Sequence, residues 1–407
     1  MSKRIAIGEC ELAEGLSGRM EKADYLSLPA EGEYFDFGKF DLAKATHELE
    51  TEGKKNTLQV PTSFPSGIFA SVLQSADFGK KGLSGYYNWH ASLNTSKTDR
   101  YLAWHASNEQ NGYFVKAAAG AKGELSLSAQ ASGHSCLHHV IVAEKGSKLD
   151  LTIESSSHPD AKPNPQHPEI PGSPSLHTEV FEVFVEDDAT VNLATVQDYA
   201  KSDFVFTHLF FRLGRFSRLC HAAGAFGGAA SRLRIQNHLL GGHCKVDSFQ
   251  LFFTEGEQFS DVCSSTYHHV PDTTGEMLAK AALTGKSRCA YKGYIKVDTG
   301  AKNSITHQGG TALLLSRESA ANVMPALDVE NNEVEAGHGA AVGELSGDEM
   351  TYLRSRGLSE EESRSLIVEG YFDELLAKFP YLGGRAKLKQ RLTAKMGTIK
   401  KAGKQVE

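Results

Sequence analysis

The sequence predicts a mainly β protein: a parallel β-helix core, an α-helical C-terminal domain, and an irregular N-terminal region before both. Three observations predict it. Short alternating apolar stretches recur from about Tyr101 to Leu345, separated by Gly, Asp, Asn and Ser turns. No helical segments intervene to act as crossovers, which excludes a doubly wound α/β sheet. After Gly343 the apolar period becomes helical. A sandwich and a solenoid both satisfy the strand pattern, but ~240 residues of short strands would make an unusually large sandwich, whereas a solenoid grows by adding coils.

Residues 1–100 are rich in Gly and Ser, and their one short helical candidate is Phe40–Glu50, FDLAKATHELE. Residues 101–345 form the predicted β core. In Ser147–Glu154, Leu149, Leu151 and Ile153 fall on one face while Lys148, Asp150, Thr152 and Glu154 fall on the other, the period of a half-buried strand. Phe181, Val183 and Val185 repeat it. Charged or Gly-containing turns announce several strands, as in EKGSKLDL at 144, EDDATVNL at 186 and TGKSRCAYKGYIKV at 284. Ser155 to His177 holds six of the twelve prolines and reads as a surface loop inserted in the core.

Residues 346–407 read as helical. Ser346–Glu349 and Ser359–Glu362 have the spacing of capping boxes, in which Ser and Glu satisfy unpaired backbone donors for about 1 kcal/mol per cap. Gly357 sits where the first helix stops. Val368, Phe372, Leu375, Leu376 and Phe379 make one apolar stripe ended by Pro380, and a basic third helix with Leu388, Leu392 and Met396 follows.

Composition narrows the function. Of 407 residues, 40% are hydrophobic and 23% charged, an ordinary balance for a folded domain. The net charge of -7 argues against nucleic-acid binding, although eight Lys/Arg against one Glu from Arg385 onward make a basic tail on an acidic body. No stretch approaches the ~20 apolar residues of a membrane span, and the first residues lack a signal-peptide apolar run, so a cytoplasmic location is expected. The six cysteines, Cys10, Cys136, Cys220, Cys244, Cys263 and Cys289, are scattered without a C-x-x-C pair, so most are expected to be buried apolar residues.

Enzyme motifs fail on spacing. Gly285-Lys286-Ser287 resembles the end of a phosphate loop, but the required earlier glycine is Lys280. Gly337 to Gly343 has the wrong glycine spacing for a dinucleotide turn, and no G-x-S-x-G elbow occurs. Histidine clusters remain: His134, His138 and His139; His268 and His269; and His158, His167 and His177 with Asp160 and Glu169 in the proline-rich loop. Imidazole suits iron or zinc. A flexible loop opposes a preorganised site, however, and His138 and His139 point to opposite faces of a strand, so satisfied structural histidines are the favoured account.

The stretch Ala290–Leu376 resembles the C-terminal half of the SufB/SufD family of the SUF iron-sulfur cluster assembly system. The specific elements are the strand Pro325-Ala-Leu-Asp-Val-Glu330, the H-G-A-x-V-G turn from His338 to Gly343, and Tyr352-Leu-Arg-Ser-Arg-Gly-Leu358. The resemblance is strong over 265–376, fainter from 101, and absent from the first hundred residues. It implies a right-handed parallel β-helix that pairs with a SufB-type subunit, and C-terminal helices from Ser346 to Phe379 that dock a SufC-type ATPase, with Tyr352, Arg354, Arg356, Leu366 and Phe372 in that docking surface. A separate ATPase accounts for the missing phosphate loop.

Thr306-His-Gln-Gly309-Gly310 stands where SufB proteins carry a cysteine, and His338-Gly339 where they carry His-Glu, so the chain resembles SufD more closely. Familiar SufD sequences also have a cysteine at the position of Ala336. The resemblance carries over His338 alone, as an iron ligand or cluster-stabilising group at the partner interface. Without the resemblance, His338 reads as a turn histidine bonded to a backbone carbonyl. Since Fe-S clusters are held chiefly by thiolates, the transient cluster must take most ligands from the partner, and none is expected on the isolated chain. The implied function is a non-enzymatic scaffold. A homomeric scaffold, or a homodimer of the isolated chain formed through uncovered β-helix edges, is the second reading. A β-helix carbohydrate-active enzyme would need paired carboxylates near mid-solenoid and usually a secretory signal.

Overall fold

The computed structural model describes residues 56–74, 100–157 and 175–402. The helical candidate Phe40–Glu50, Cys10 and the middle of the proline-rich loop lie outside the described residues. The architecture is a parallel β-solenoid of about seven coils with helices at its C-terminal end. Each coil contributes one strand to each of two facing sheets. The first sheet takes β4 (Lys122–Ala131), β6 (Lys148–Ser157), β8 (Thr190–Asp198), β10 (Arg218–Ala225), β12 (Lys245–Thr254), β14 (Thr274–Leu283), β16 (Ile305–Leu314) and β18 (Glu335–Glu344). The second takes β3 (Asn111–Ala117), β5 (Ser135–Ala143), β7 (Leu176–Val185), β9 (Phe204–Leu213), β11 (Ala230–Leu239), β13 (Phe259–His268), β15 (Arg288–Val297) and β17 (Ala320–Val329). Equivalent residues stack from coil to coil: Arg218 pairs in parallel with Thr190 on one side and Lys245 on the other.

The corners explain the recurring turn signals. Gly146, Asp188, Phe216 and Gly285 all have positive φ, between 56° and 70°. At one corner these amides join successive turns: Gly146 N donates to Asp187 O at 3.0 Å, Asp188 N to Arg215 O at 2.8 Å, and Phe216 N to Gly242 O at 3.1 Å. Backbone groups that a loop would leave to water are thus paired along the solenoid axis. Between the sheets, Leu149, Leu151, Ile153, Phe181, Val183 and Val185 are buried in one continuous core, on the faces their alternation predicts.

Four sequence expectations need correction. Residues 101–108 do not begin the strand series but form a helix, α1 (Arg100–Asn108), because Tyr101, Leu102, Trp104 and His105 recur at helical rather than alternating spacing. The region before residue 101 is not wholly irregular: β1 (Thr57–Gln59) and β2 (Ile68–Gln74) pair antiparallel with β4 and β3. The proline-rich insertion is shorter than Ser155–His177, since Ser155–Ser157 complete β6 and His177 belongs to β7. Finally, His338 to Gly343 is strand rather than turn, since its backbone pairs with β16 in parallel register.

Three helices follow the solenoid: α2 (Gly347–Ser355), α3 (Glu360–Lys378) and α4 (Leu382–Ala402). The apolar stripe of α3 and the Leu388, Leu392 and Met396 row of α4 are buried against Ala194, Val196, Phe249, Leu251 and Phe253, on the outer face of the first sheet. Each such side chain contributes about 1.5–3 kcal/mol when fully buried. This docking also explains why Thr152 and Glu154, on the predicted solvent face of β6, are buried. Thr152 bonds Tyr381 Oη at 3.2 Å, and Glu154 pairs with Arg391 and, at 2.9 Å, with Lys387. Burial pushes the Glu154 carboxyl up, but these two cations outweigh it and hold the group below the usual carboxylate range. The basic tail is therefore matched to acids of its own chain: Arg391 and Lys395 also reach Asp198, at 3.2 and 3.1 Å.

Candidate functional site

The C-terminal end of the solenoid is where the candidate residues converge. β17 and β18 are the last strands of their sheets, so each has one edge without a partner strand among the described residues. His338 lies on β18 beside Gln308 of β16, and Val342 lies beside Ala312. Ala312 belongs to the interior core and Gln308 is buried, its Nε2 donating to Ala326 O at 2.8 Å across the last coil. Alternation therefore places His338 and Val342 in the inner row of the solenoid, at its open mouth. No described strand stacks on them, and His338 is exposed while Val342 is 47% exposed. Among the described residues the His338 ring makes no hydrogen bond, so the carbonyl-bonded turn histidine is not what the structure shows.

The helices beside this mouth form a second surface. Ser346 Oγ accepts from Glu349 N at 3.3 Å, and the Ser359–Glu362 pair makes the full reciprocal capping box. α2 stops at Gly357, whose φ of +96° suits glycine, and Leu358 N turns back to Leu353 O. Tyr352, 57% exposed, lies under the Arg356 guanidinium at 5.1 Å; Arg354 is exposed, and Leu366 is 50% exposed. Phe372 differs from expectation. It is fully buried in the interface between α3 and the solenoid, because the stripe that carries it is the face α3 needs for its own docking. Lys280, which stands where a phosphate loop would need glycine, instead ties α3 down, donating to Glu374 at 2.6 Å and to Tyr371 O at 2.7 Å.

Thiolates are scarce. Cys136, Cys220, Cys244 and Cys289 are buried, as the composition suggested, and Cys263 is partly buried. Burial pushes the thiols of Cys244 and Cys289 up to about 12, and those of Cys136 and Cys220 higher still, the reverse of what a metal ligand requires. Ala336 leaves no thiol two residues before His338. Among the described residues, this end of the chain offers the His338 imidazole and no cysteine thiol.

Most of the other histidines are structural. His139 faces the core, accepts from Tyr113 N at 3.1 Å, and is held neutral by burial, its pKa lowered to about 3. His134 accepts from Leu176 N, His177 bonds Ser135 and Asp203, His268 bonds Thr273 and His269 bonds Asp298. His138 is different. On the outer face of β5 it lies 3.3 Å from Glu109 and 3.0 Å from Glu182, with the His105 ring 5.5 Å away. Burial pulls its pKa down, but hydrogen bonds to Glu109 and Glu182 outweigh that and raise it to about 9. His105, Glu109 and Glu182 are absent from the sequence-level candidates. The H-x-x-x-E spacing of His105 and Glu109 was the available signal, obscured by reading 101–108 as strand.

No helix among the described residues is long and apolar enough to cross a membrane. A sequence profile described as "SUF system FeS cluster assembly, SufBD core domain" matches residues 126–371. An iron-sulfur cluster assembly SufBD family protein of Mycobacterium bovis is 26% identical over 208 residues, covering 51% of this chain and 25% of the relative. A family protein of Staphylococcus epidermidis is 25% identical over 248 residues, 59% of this chain and 50% of the relative, and one of Staphylococcus haemolyticus is 27% identical over 213 residues, 51% and 44%. The match thus spans a quarter of the mycobacterial relative's length and about half of the staphylococcal ones. A core-domain match over more than half the chain, falling on most of the solenoid, α2 and the first part of α3, means that the chain belongs to the SufBD family of iron-sulfur cluster assembly proteins.

Proposed function

We propose that this chain is a non-enzymatic, SufD-like scaffold subunit of a cytoplasmic SUF assembly complex. It pairs with a SufB-type subunit through the open end of its β-helix and docks a SufC-type ATPase through its C-terminal segment 346–407. The observation that carries the reading is the open mouth itself: β17 and β18 edges without a partner strand among the described residues, an exposed Val342, and His338 in the inner row with no described cysteine beside it. Strand edges of this length normally find a partner, and a second β-helix supplies one without distortion. The nascent cluster is cargo held across that junction, with His338 giving a nitrogen donor or hydrogen bond and the partner giving the thiolates. Exposed Tyr352, Arg354, Arg356 and Leu366 are the docking residues for the ATPase, while Phe372 holds α3 in position behind them.

The test is co-purification with SufC-type and SufB-type subunits, followed by anaerobic cluster reconstitution with wild type and His338→Ala. A stable complex whose cluster yield falls in the variant supports both the scaffold and the ligand roles. An unchanged yield removes His338 from the site. A chain that binds no ATPase, or that forms a complete assembly with a second copy of itself and no SufB-type subunit, overturns the SufD-like assignment.

A further inference from the structure

The group around His138 lies on the outer face of the second sheet, under α1, away from the open mouth. His105 lies in the last turn of α1 and Glu109 directly follows Asn108, where the helix ends, and their side chains reach Thr178 of β7 and His138 of β5 respectively. One ligand atom from each of His105, Glu109 and His138 lies within 4.8 Å of the others. The Glu109 to His138 Nδ1 separation of 3.3 Å matches the edge of a tetrahedral site, about 3.4 Å for bonds of ~2.1 Å.

The other nitrogen of each ring is already oriented. His105 Nδ1 shares a hydrogen bond with Thr178 Oγ1 at 2.9 Å, and His138 Nε2 meets the fully buried Glu182 carboxylate at 3.0 Å. Such outer partners fix the ring tautomer and raise the basicity of a metal-binding imidazole. At the same residue the strands run close: a Cβ on Gly112 would lie 1.8 Å from His138 O, so glycine lets β3 pass the β5 backbone here. Charge points the same way. Glu109 and Glu182 bracket the His138 ring at 3.3 and 3.0 Å, and a divalent cation balances the two formal negative charges of these carboxylates.

We propose that His105, Glu109 and His138 bind a divalent transition-metal ion, Fe(II) or Zn(II), between α1 and the outer face of the solenoid. The donors are His105 Nε2, His138 Nδ1 and a Glu109 oxygen. Glu182 and Thr178 are positioning residues, and a fourth coordination position stays open. Two imidazoles and one carboxylate form the donor set of mononuclear iron(II) and catalytic zinc sites. The ion also clips α1 to the sheet, so binding stabilises that contact. The site is separate from His338 and needs no partner subunit.

Cobalt(II) titration of the full-length chain under anaerobic conditions, after chelator treatment, provides the test. Wild type should take up one equivalent with the visible d–d absorption of a low-coordinate site, displaced by zinc. His105→Ala and Glu109→Gln should each abolish the band, Glu182→Gln should weaken binding about 10–100-fold, and His338→Ala should leave it unchanged. X-ray absorption on the wild-type cobalt complex should show two imidazole donors, a readout that does not depend on any variant folding. Wild-type protein that is folded and takes up no cobalt, or takes it up equally in His105→Ala, overturns the site. A chain that fails to join an assembly complex yet shows the band leaves this site standing while the scaffold reading falls.

Discussion

Replacing Leu388 by Ala should loosen the helical segment from the solenoid, and the structure sets the size of the effect. Leu388 is fully buried in α4, and its Cδ2 lies where a Cβ on Gly224 would approach to 2.5 Å. Gly224 and Ala194 make a shallow trough of small residues on the first sheet, into which α4 settles. Removing the isopropyl end of the side chain costs about 2–5 kcal/mol, near the upper end if the rigid strands cannot collapse into the space. Gly224→Ala should cost about 1–3 kcal/mol by overpacking, since its methyl meets both Leu388 and Phe226, at 2.5 and 2.6 Å. In the double variant the new methyl occupies part of the vacated volume, so the total should fall short of the sum by at least about 1 kcal/mol. Native-state hydrogen exchange of α3 and α4 amides reads the undocking free energy directly. Additivity within about 0.5 kcal/mol would refute the seating of α4 on Gly224. Because α3 rests on the same apolar layer, weaker docking should also lower affinity for the proposed ATPase partner.

Three further outcomes are expected. Phe372→Ala should destabilise by about 3–5 kcal/mol, whereas Tyr352→Ala and Leu366→Ala should change stability by less than about 0.5 kcal/mol yet weaken binding of the proposed ATPase partner, measured by calorimetry on the isolated subunits. Arg391→Met should leave Glu154 and Asp198 short of a counterion and lower stability by about 1–3 kcal/mol, with a smaller loss in the double variant with Glu154→Gln, both read from urea midpoints. Acid should weaken the fold through buried neutral histidines. Burial lowers the pKa of His221 and His238 to about 3 and of His268 to about 4, so below pH ~6.5 the unfolded chain binds protons that the folded chain refuses. Stability should be insensitive to these groups above that pH and fall by about 1.4 kcal/mol per pH unit for each below it. His221→Gln should flatten the slope by that amount in urea titrations between pH 7.5 and 5; an unchanged slope would mean the ring is protonated in the fold.

Local sequence determined the parts of this protein that depend on neighbours along the chain. Alternation at Leu149, Leu151 and Ile153 assigns strand faces because the strand period is two. Ser359 with Glu362, Gly357, and the Val368–Phe379 stripe mark the helices because caps and apolar periods act within a few residues. The turn devices at 144 and 186 were legible for the same reason, with Gly146 and Asp188 in the left-handed region. Tertiary structure alone decided which faces are covered. Glu154 and Thr152 read as solvent-facing, yet helices more than 200 residues away bury them. Phe372 read as a docking residue, yet its own solenoid claims it. His338 looked like a turn residue until pairing with β16 placed it in the inner row of an open coil, and His105 and Glu109 meet His138 only because α1 packs on the outer sheet. Composition and periodicity specify what each segment can become; coil stacking and helix docking, which join residues far apart in the chain, decide what those segments bury and what they leave exposed.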